Sequence, residues 1–462
     1  MKNYMIYAVL LDVFLGMQTL AAQEHAGTIP LDQLTLDRAI SYALNNSPEL
    51  NVQRLKQQKD EQELSKIQRD KIPDVYLSGD VRRNLIIPST PIPASMINPA
   101  AAPDQMLYMK FNTDWNSGAG INFSYDIFNP ATFRQASEQK IQNKISNFDT
   151  KISETDIQAD IAQAYAECVI SQDQLESLKY DTVFYYHSWK EAIILYQQAK
   201  ISLPDKNNAV IAYNTSIMQY LNAERVLNAA KAKLLYKMGV EVSVKNTEAL
   251  HLSEDIPALH AKMDHAEYGV TAGNRVTDSV LHGPVLARQA EVIALSESRI
   301  KSAQLKYAPL FSMTCFYGNN YYGNAFNPGD GSLWHGNSYI AVSLKVPLTQ
   351  AFTTSKEVAQ LKLQQQIERE NMRRMQNQKS QEWLDARNQL MTSEKEYEMY
   401  RQNYEMSAEN LKASMAQVDK AYIQDKDYLA EQVRCRNSYQ SFLQAAYNVF
   451  INKINLQKLG AE

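Results

Sequence analysis

The side chains with spacing suited to chemistry are few. Asp425 and Asp427, in QDKDYLAEQ, are two carboxylates separated by Lys426. Paired carboxylates can divide acid and base roles, or act together as a fixed negative field. They stand in a stretch rich in helix formers and poor in Gly, with no motif around them that would shape a pocket, and this favours the field over proton transfer. His251, His260 and His265 lie in one segment but have neither HExxH spacing nor a regular helical step, so they read as surface histidines with no metal among them. No Gly-rich phosphate loop and no GxSxG turn occurs. Cys168, Cys315 and Cys435 are far apart and odd in number, which indicates neither a zinc site nor a disulfide framework and predicts three free thiols. The sequence predicts neither an enzyme nor a resident cofactor.

Composition narrows the classes further. The chain has 462 residues, 45% of them hydrophobic and 21% charged, as an ordered protein does. Lys and Arg number 47 against 51 Asp and Glu, so the basic footprint that a nucleic-acid backbone demands is missing. With 15 Gly and 15 Pro in so long a chain, tight turns are few and elements long. Residues 1–22 read as a signal peptide: Lys2, an apolar stretch from Met5 to Leu20, then Ala21-Ala22 before Gln23. Beyond them no run of about 18 apolar residues occurs, so entry into a membrane would have to be by β-strands.

A duplication organises the rest. Pro48 and Pro73 recur as Pro284 and Pro309, an offset of 236. INFSYDIFNP from Ile121 aligns with VSLKVPLTQA from Val342 at 221, the offset that also sets Gly239 under Gly460. The predicted divisions are a first repeat at 31–239, a linker at 240–270 and a second repeat at 271–460. Each repeat begins with a helix-like segment, Leu31 to Ile72 and about Thr271 to Ala308, halted by Pro73 or Pro309. Alternation follows. Val75, Leu77 and Val81 oppose Tyr76, Ser78, Asp80 and Arg82; Ile121, Phe123, Tyr125 and Ile127 oppose Gly120, Asn122, Ser124 and Asp126. Ile340, Val342, Leu344, Val346 and Leu348 oppose Ala341, Ser343, Lys345 and Pro347, and Met313, Cys315 and Tyr317 continue the scheme. Period two with one apolar face predicts four strands within 74–128 and 310–348. Long helices free of Pro and Gly are predicted at about 131–200 and 352–420, each followed by a shorter one at about 206–239 and 425–459.

Four strands cannot close a membrane barrel, and an unpaired edge cannot face lipid, so the barrel must be shared among copies of the chain. Strands of ten to twelve residues tilted by about 45° span roughly 25 Å, the apolar height of an outer membrane. Tyr108, Trp115, Tyr321, Tyr322 and Trp334 are placed near strand ends, where amphipathic rings suit the water boundary. The competing reading is an exported coiled-coil scaffold of the cell envelope whose strands form a soluble domain.

The opening LTLDRAISYALNNSPELN, the Pro-terminated helices before strands, the passages SYDIFNPATFRQA and SLKVPLTQAFTTSKEVA and the duplicated plan resemble the TolC-type outer-membrane efflux protein family over nearly the whole mature chain. The resemblance implies an α+β, mainly α, fold: a long α-helical coiled-coil barrel plus a twelve-stranded transmembrane β-barrel completed by homotrimerisation. The segment 240–270 would contribute to an equatorial region. The implied function is a passive exit duct in the outer membrane of a Gram-negative bacterium, its helices in the periplasm. It would be docked to a periplasmic adaptor protein and an inner-membrane pump. It further implies adaptor-contact tips at Lys200, Ile201 and Ser202 and at Ala421, Tyr422 and Ile423, and a periplasmic gate at Asp425 and Asp427. Where family tips usually carry Gly, this chain has Lys200 and Ala421, and where the second tip offers Asp425 and Asp427 the first has Asp205 and Lys206.

Overall fold

A computed structural model describes residues 31–97, 99, 102, 104–255, 283–418 and 425–461. The expected signal segment 1–22, part of the expected 240–270 linker, and His260 and His265 lie outside the described residues. In chain order the elements are α1 (Leu36–Asn46), α2 (Pro48–Arg69), β1 (Asp74–Arg83), β2 (Thr90–Pro93), β3 (Met106–Met109), β4 (Trp115–Phe128), α3 (Gln135–Gln197), α4 (Leu203–Met238) and α5 (Val244–Ala249). They continue with α6 (Pro284–Leu305), β5 (Leu310–Gly323), β6 (Trp334–Lys345), α7 (Gln350–Val418) and α8 (Asp425–Ala461).

The segment expected to run as one helix from Leu31 to Ile72 is broken at Ser47, which has φ −59° and ψ 124°. Pro48 causes the break, because its ring crowds the preceding residue out of the helical region and it offers no N–H. Thr35 caps α1 by accepting from the Arg38 N–H, and the Glu254 carboxylate accepts from the Leu36 N–H at 3.2 Å. A negative group at a helix N-terminus is favourable there.

The chain divides into two compact units, each drawn from both predicted repeats. One takes residues from 1–51, 153–273 and 383–460, and its interior is a single apolar cluster. Leu34, Ala43 and Leu50 meet Ile161, Tyr165 and Cys168 of α3, Leu234 and Met238 of α4, and Leu443, Phe450 and Ile454 of α8. Leu34 forms a parallel bridge with Leu252, and the buried Tyr165 hydroxyl donates to the Leu34 carbonyl at 2.8 Å. Ion pairs tie the helices: Lys237 to Asp160 at 2.5 Å, Lys233 to Glu167 at 2.6 Å, and Arg436 of α8 to Asp181 of α3 at 2.9 Å. Gly239 ends α4 with φ +78°, and a Cβ there would stand 2.7 Å from the Asn46 carbonyl and 2.8 Å from Pro48 Cδ. Gly460, its counterpart by sequence offset, lies inside α8 with nothing within 4 Å of a built Cβ.

The other unit takes residues from 52–152 and 274–382 and contains the main sheet, antiparallel throughout in the order β1-β4-β5-β6. Its helical part is cross-linked by Arg288 to Asp149 at 2.5 Å, Lys144 to Glu291 at 3.2 Å and Lys306 to Glu357 at 2.6 Å. The four strands fall within the predicted stretches, with two local differences. β6 stops at Lys345, two residues before Pro347, which has no N–H for a ladder bond. The Pro-rich connection after β1 forms a separate hairpin in which Thr90–Pro93 pairs with Met106–Met109. Tyr108 therefore belongs to that hairpin and not to the end of a main strand.

Candidate functional site: the two sheet faces and the helical hairpin ends

Register decides which side chains share a face of the main sheet. Val75 pairs with Phe123, which pairs with Cys315, which pairs with Ile340. The same face carries Leu77, Ile121, Tyr125, Met313, Val342 and Leu344. The opposite face carries the row Asp80, Gly118, Asn320, His335, then Ser78, Gly120, Gly318, Asn337, then Tyr76, Asn122, Phe316, Tyr339. One side is thus mainly apolar, with Ser117, Asn319 and Ser338 among its residues, and the other mainly polar, with Phe316 and Tyr339 as its apolar exception. Val75, Leu77, Ile340 and Val342 are all more than half exposed, so the apolar side of a single chain is uncovered. At one end of the sheet Trp115, Tyr321, Trp334 and Phe326 cluster, with ring centroids 4.7–6.2 Å apart. Tyr321 is fully buried there, donating to the Ala325 carbonyl at 2.5 Å and accepting from the Asn327 N–H at 2.8 Å. Trp115 and Trp334 are the first residues of β4 and β6, as their expected positions near strand ends require.

The first hairpin end is described in full. α3 closes with the Lys200 N–H on the Leu195 carbonyl and the Ala199 N–H on the Tyr196 carbonyl, both at 2.9 Å. This is the helix-ending motif that normally places glycine in the left-handed conformation. Here that residue is Ala199, with φ 56°, immediately before Lys200. Ser202 then caps α4: its hydroxyl accepts from the Asp205 N–H while the Asp205 carboxylate accepts from the Ser202 N–H, a closed capping box. The Ser202 hydroxyl and N–H hold the Asp205 carboxyl below its ordinary range. Lys206 sits over the Tyr196 ring at 5.2 Å. Lys200, Ile201 and Ser202 thus form the turn itself, between a left-handed Ala199 and a capped α4.

At the second end, Ala421, Tyr422 and Ile423 lie outside the described residues. Asp425 opens α8 and Asp427 lies in its first turn. No three metal-capable side chains converge among the described residues. A groove of about 450 Å³ between α7 and α8 is lined by Asn388, Thr392, Glu396 and Asn452 together with Tyr447 and Ile451, polar groups beside an apolar wall. Cys168, Cys315 and Cys435 are free thiols on α3, β5 and α8, and burial pushes the Cys168 thiol up to about 12.

Sequence reasoning passed over three features. The Asp181–Arg436 pair joins residues 255 apart and leaves no local pattern. Ala199 carries no turn signal of its own. The facing Gly120 and Gly318 did leave one, since glycine inside a strand marks a close approach.

No protein-family model matches the chain, and no curated protein matches it. Solved structures do. The outer membrane protein VceC of Vibrio cholerae superposes with TM-score 0.68 at 14% identity, covering 92% of this chain and 96% of that one. The chain has the TolC-type fold. The open state of the Neisseria gonorrhoeae MtrE outer membrane channel matches with TM-score 0.71 at 13% identity, covering 92% of this chain and 88% of that one. The Campylobacter jejuni CmeC outer membrane channel gives 0.67 at 16%, covering 92% and 85%. The TolC-type fold accounts for the mainly helical chain with a four-stranded sheet, and among the described residues no helix is long and apolar enough to cross a membrane.

Proposed function

We propose that this chain is one protomer of an outer-membrane exit duct, a passive conduit from periplasm to exterior driven by an inner-membrane pump through a periplasmic adaptor. The observation that carries the reading is the sheet. Four antiparallel strands, with a register shift at Asp126/Phe128 between β4 and β5, have one mainly apolar face, exposed at Val75, Leu77, Ile340 and Val342, and one mainly polar face. Such a sheet suits lipid on one side and water on the other. Its outer strands, β1 and β6, leave backbone N–H and C=O groups unpaired, and in hydrocarbon each such group costs several kcal/mol. Two copies would supply eight strands, whose interior side chains fill; three supply twelve, which leave a lumen. The functional unit is therefore a homotrimer. The tips at Lys200–Ser202 and Ala421–Ile423 are the adaptor contacts, and three copies of Asp425 and Asp427 form a carboxylate ring at the periplasmic entrance that attracts cations.

Fractionation and native mass spectrometry in detergent test the assembly: three chains per particle, recovered from the outer membrane only with detergent, is the expected result. A freely soluble periplasmic protein would instead support the coiled-coil scaffold. For the gate, Asp427→Ala should lower cation preference in single-channel recordings. Unchanged selectivity in both Asp427→Ala and Asp425→Ala channels would remove these residues from the entrance.

A further inference from the structure

On the polar face, one place breaks the polar pattern. Phe316 and Tyr339 face each other across β5 and β6, stacked with centroids 5.8 Å apart and planes 26° apart. The adjacent row has glycine on two neighbouring strands, Gly120 directly opposite Gly318. A Cβ on Gly120 would stand 2.7 Å from both Cε2 and Cζ of Phe316 and 2.8 Å from Gly318 Cα, and one on Gly318 would meet the Ala119 carbonyl, Gly120 Cα at 2.6 Å and Phe316 Cζ at 2.8 Å. Those separations are far inside the 3.5–4.0 Å of carbon contact. The ring of Phe316 therefore lies down along its own strand, over a place where the backbones of two glycines approach closely. Glycine weakens a strand, so a facing pair in the middle of a four-stranded sheet calls for a compensating role.

We propose that Gly120 and Gly318 form a recess that keeps Phe316 flat against the lumen wall, so that this glycine pair sets the open width of the β-barrel part of the duct. The proposal rests on the duct reading, which assigns the polar face to the lumen. In a trimer the recess recurs three times at one level, and each Phe316 held flat removes one ring from the bore. A methyl group at Gly120 displaces the ring, and the rotamers left to it stand away from the sheet, into the lumen. Gly120 and Gly318 are positioning residues, acting through Phe316; the cargo path itself meets Phe316, Tyr339 and Tyr76, which share one row.

The test uses the purified full-length chain in planar bilayers, with graded polyethylene glycols added on the extracellular side to measure the exclusion size there. Gly120→Ala should shift the cut-off to smaller polymers and lower conductance. Phe316→Ala should leave the cut-off near wild type, because a ring lying in a recess blocks little. Gly120→Ala should narrow the pore far less in a Phe316→Ala background than in wild type, since there is then no ring to displace and only the contact with Gly318 Cα remains. The proposal is overturned if Gly120→Ala keeps the wild-type cut-off, or narrows the pore equally in both backgrounds. If Gly120→Ala does not assemble, Phe316→Ala alone decides: a clearly wider cut-off means that the ring already stands in the lumen and refutes the recess. Failure of the wild-type chain to form pores at all would count against the duct reading instead.

Discussion

Asp173→Asn should stabilise this protein at pH 8 and leave it nearly unchanged at pH 4. Asp173 is half-buried on α3, and burial first, then the charges of Asp255 and Glu176, push its carboxyl up to about 6 from an ordinary 3.8. The ring of Tyr439 on α8 belongs to the same neighbourhood, its hydroxyl raised by burial and by Asp173. A folded state that holds a proton more tightly than the unfolded chain is favoured by acid. The contribution is fully present below about pH 4 and is lost as the pH rises through about 6. Each pH unit between the two values is worth about 1.4 kcal/mol, so the carboxylate costs the fold about 3 kcal/mol at pH 8. That figure is a ceiling, because Asp255 is exposed and salt screens its share. An amide keeps the shape without the charge. Thermal melts followed by circular dichroism in detergent, run on wild type and Asp173→Asn at pH 4, 6 and 8, should show a gap that opens with pH in favour of the variant. A gap of equal size at pH 4 and pH 8, or a wild type that gains on the variant with rising pH, would refute the burial and repulsion argument.

Other outcomes follow from single positions. At the first hairpin end, Ala199→Gly should stabilise by about 0.5–1 kcal/mol, since a left-handed non-glycine residue costs about 1–2 kcal/mol and glycine gives back about 0.5–1 in unfolded-state entropy. Lys200→Gly should bring no such gain in the same melting assay. Gly239→Ala should cost about 1–3 kcal/mol, from its left-handed backbone and the close Asn46 and Pro48 atoms, whereas Gly460→Ala should fall within about 0.5 kcal/mol of wild type. The Asp181–Arg436 pair has side chains 11% and 17% exposed, so Arg436→Met alone should cost about 3–5 kcal/mol, and adding Asp181→Leu should recover most of it in a double-mutant cycle.

The element plan was legible in the sequence because it rests on local chemistry. Pro73 and Pro309 stop helices wherever they occur, strict alternation over Val75–Arg82 and Ile121–Ile127 forces a two-faced strand, and long stretches without Pro or Gly propagate as α3 and α7. The face that each strand residue would take was equally readable, since a pleat fixes side chains at period two. Local pattern also misled where one residue outweighed its surroundings, as Pro48 did in breaking the opening helix. What only the tertiary structure decided is who meets whom. Nothing in QAKISL marks Ala199, yet helix-end hydrogen bonds put the left-handed backbone there. It set Gly239 and Gly460 as equivalents, yet only Gly239 is pressed against the start of α2. Arg436 reaches Asp181 across 255 residues, and Phe316 finds its bed on a glycine from another strand. Such pairings depend on register and helix packing, which place distant residues within ångströms of one another, and no window of neighbouring sequence contains that distance.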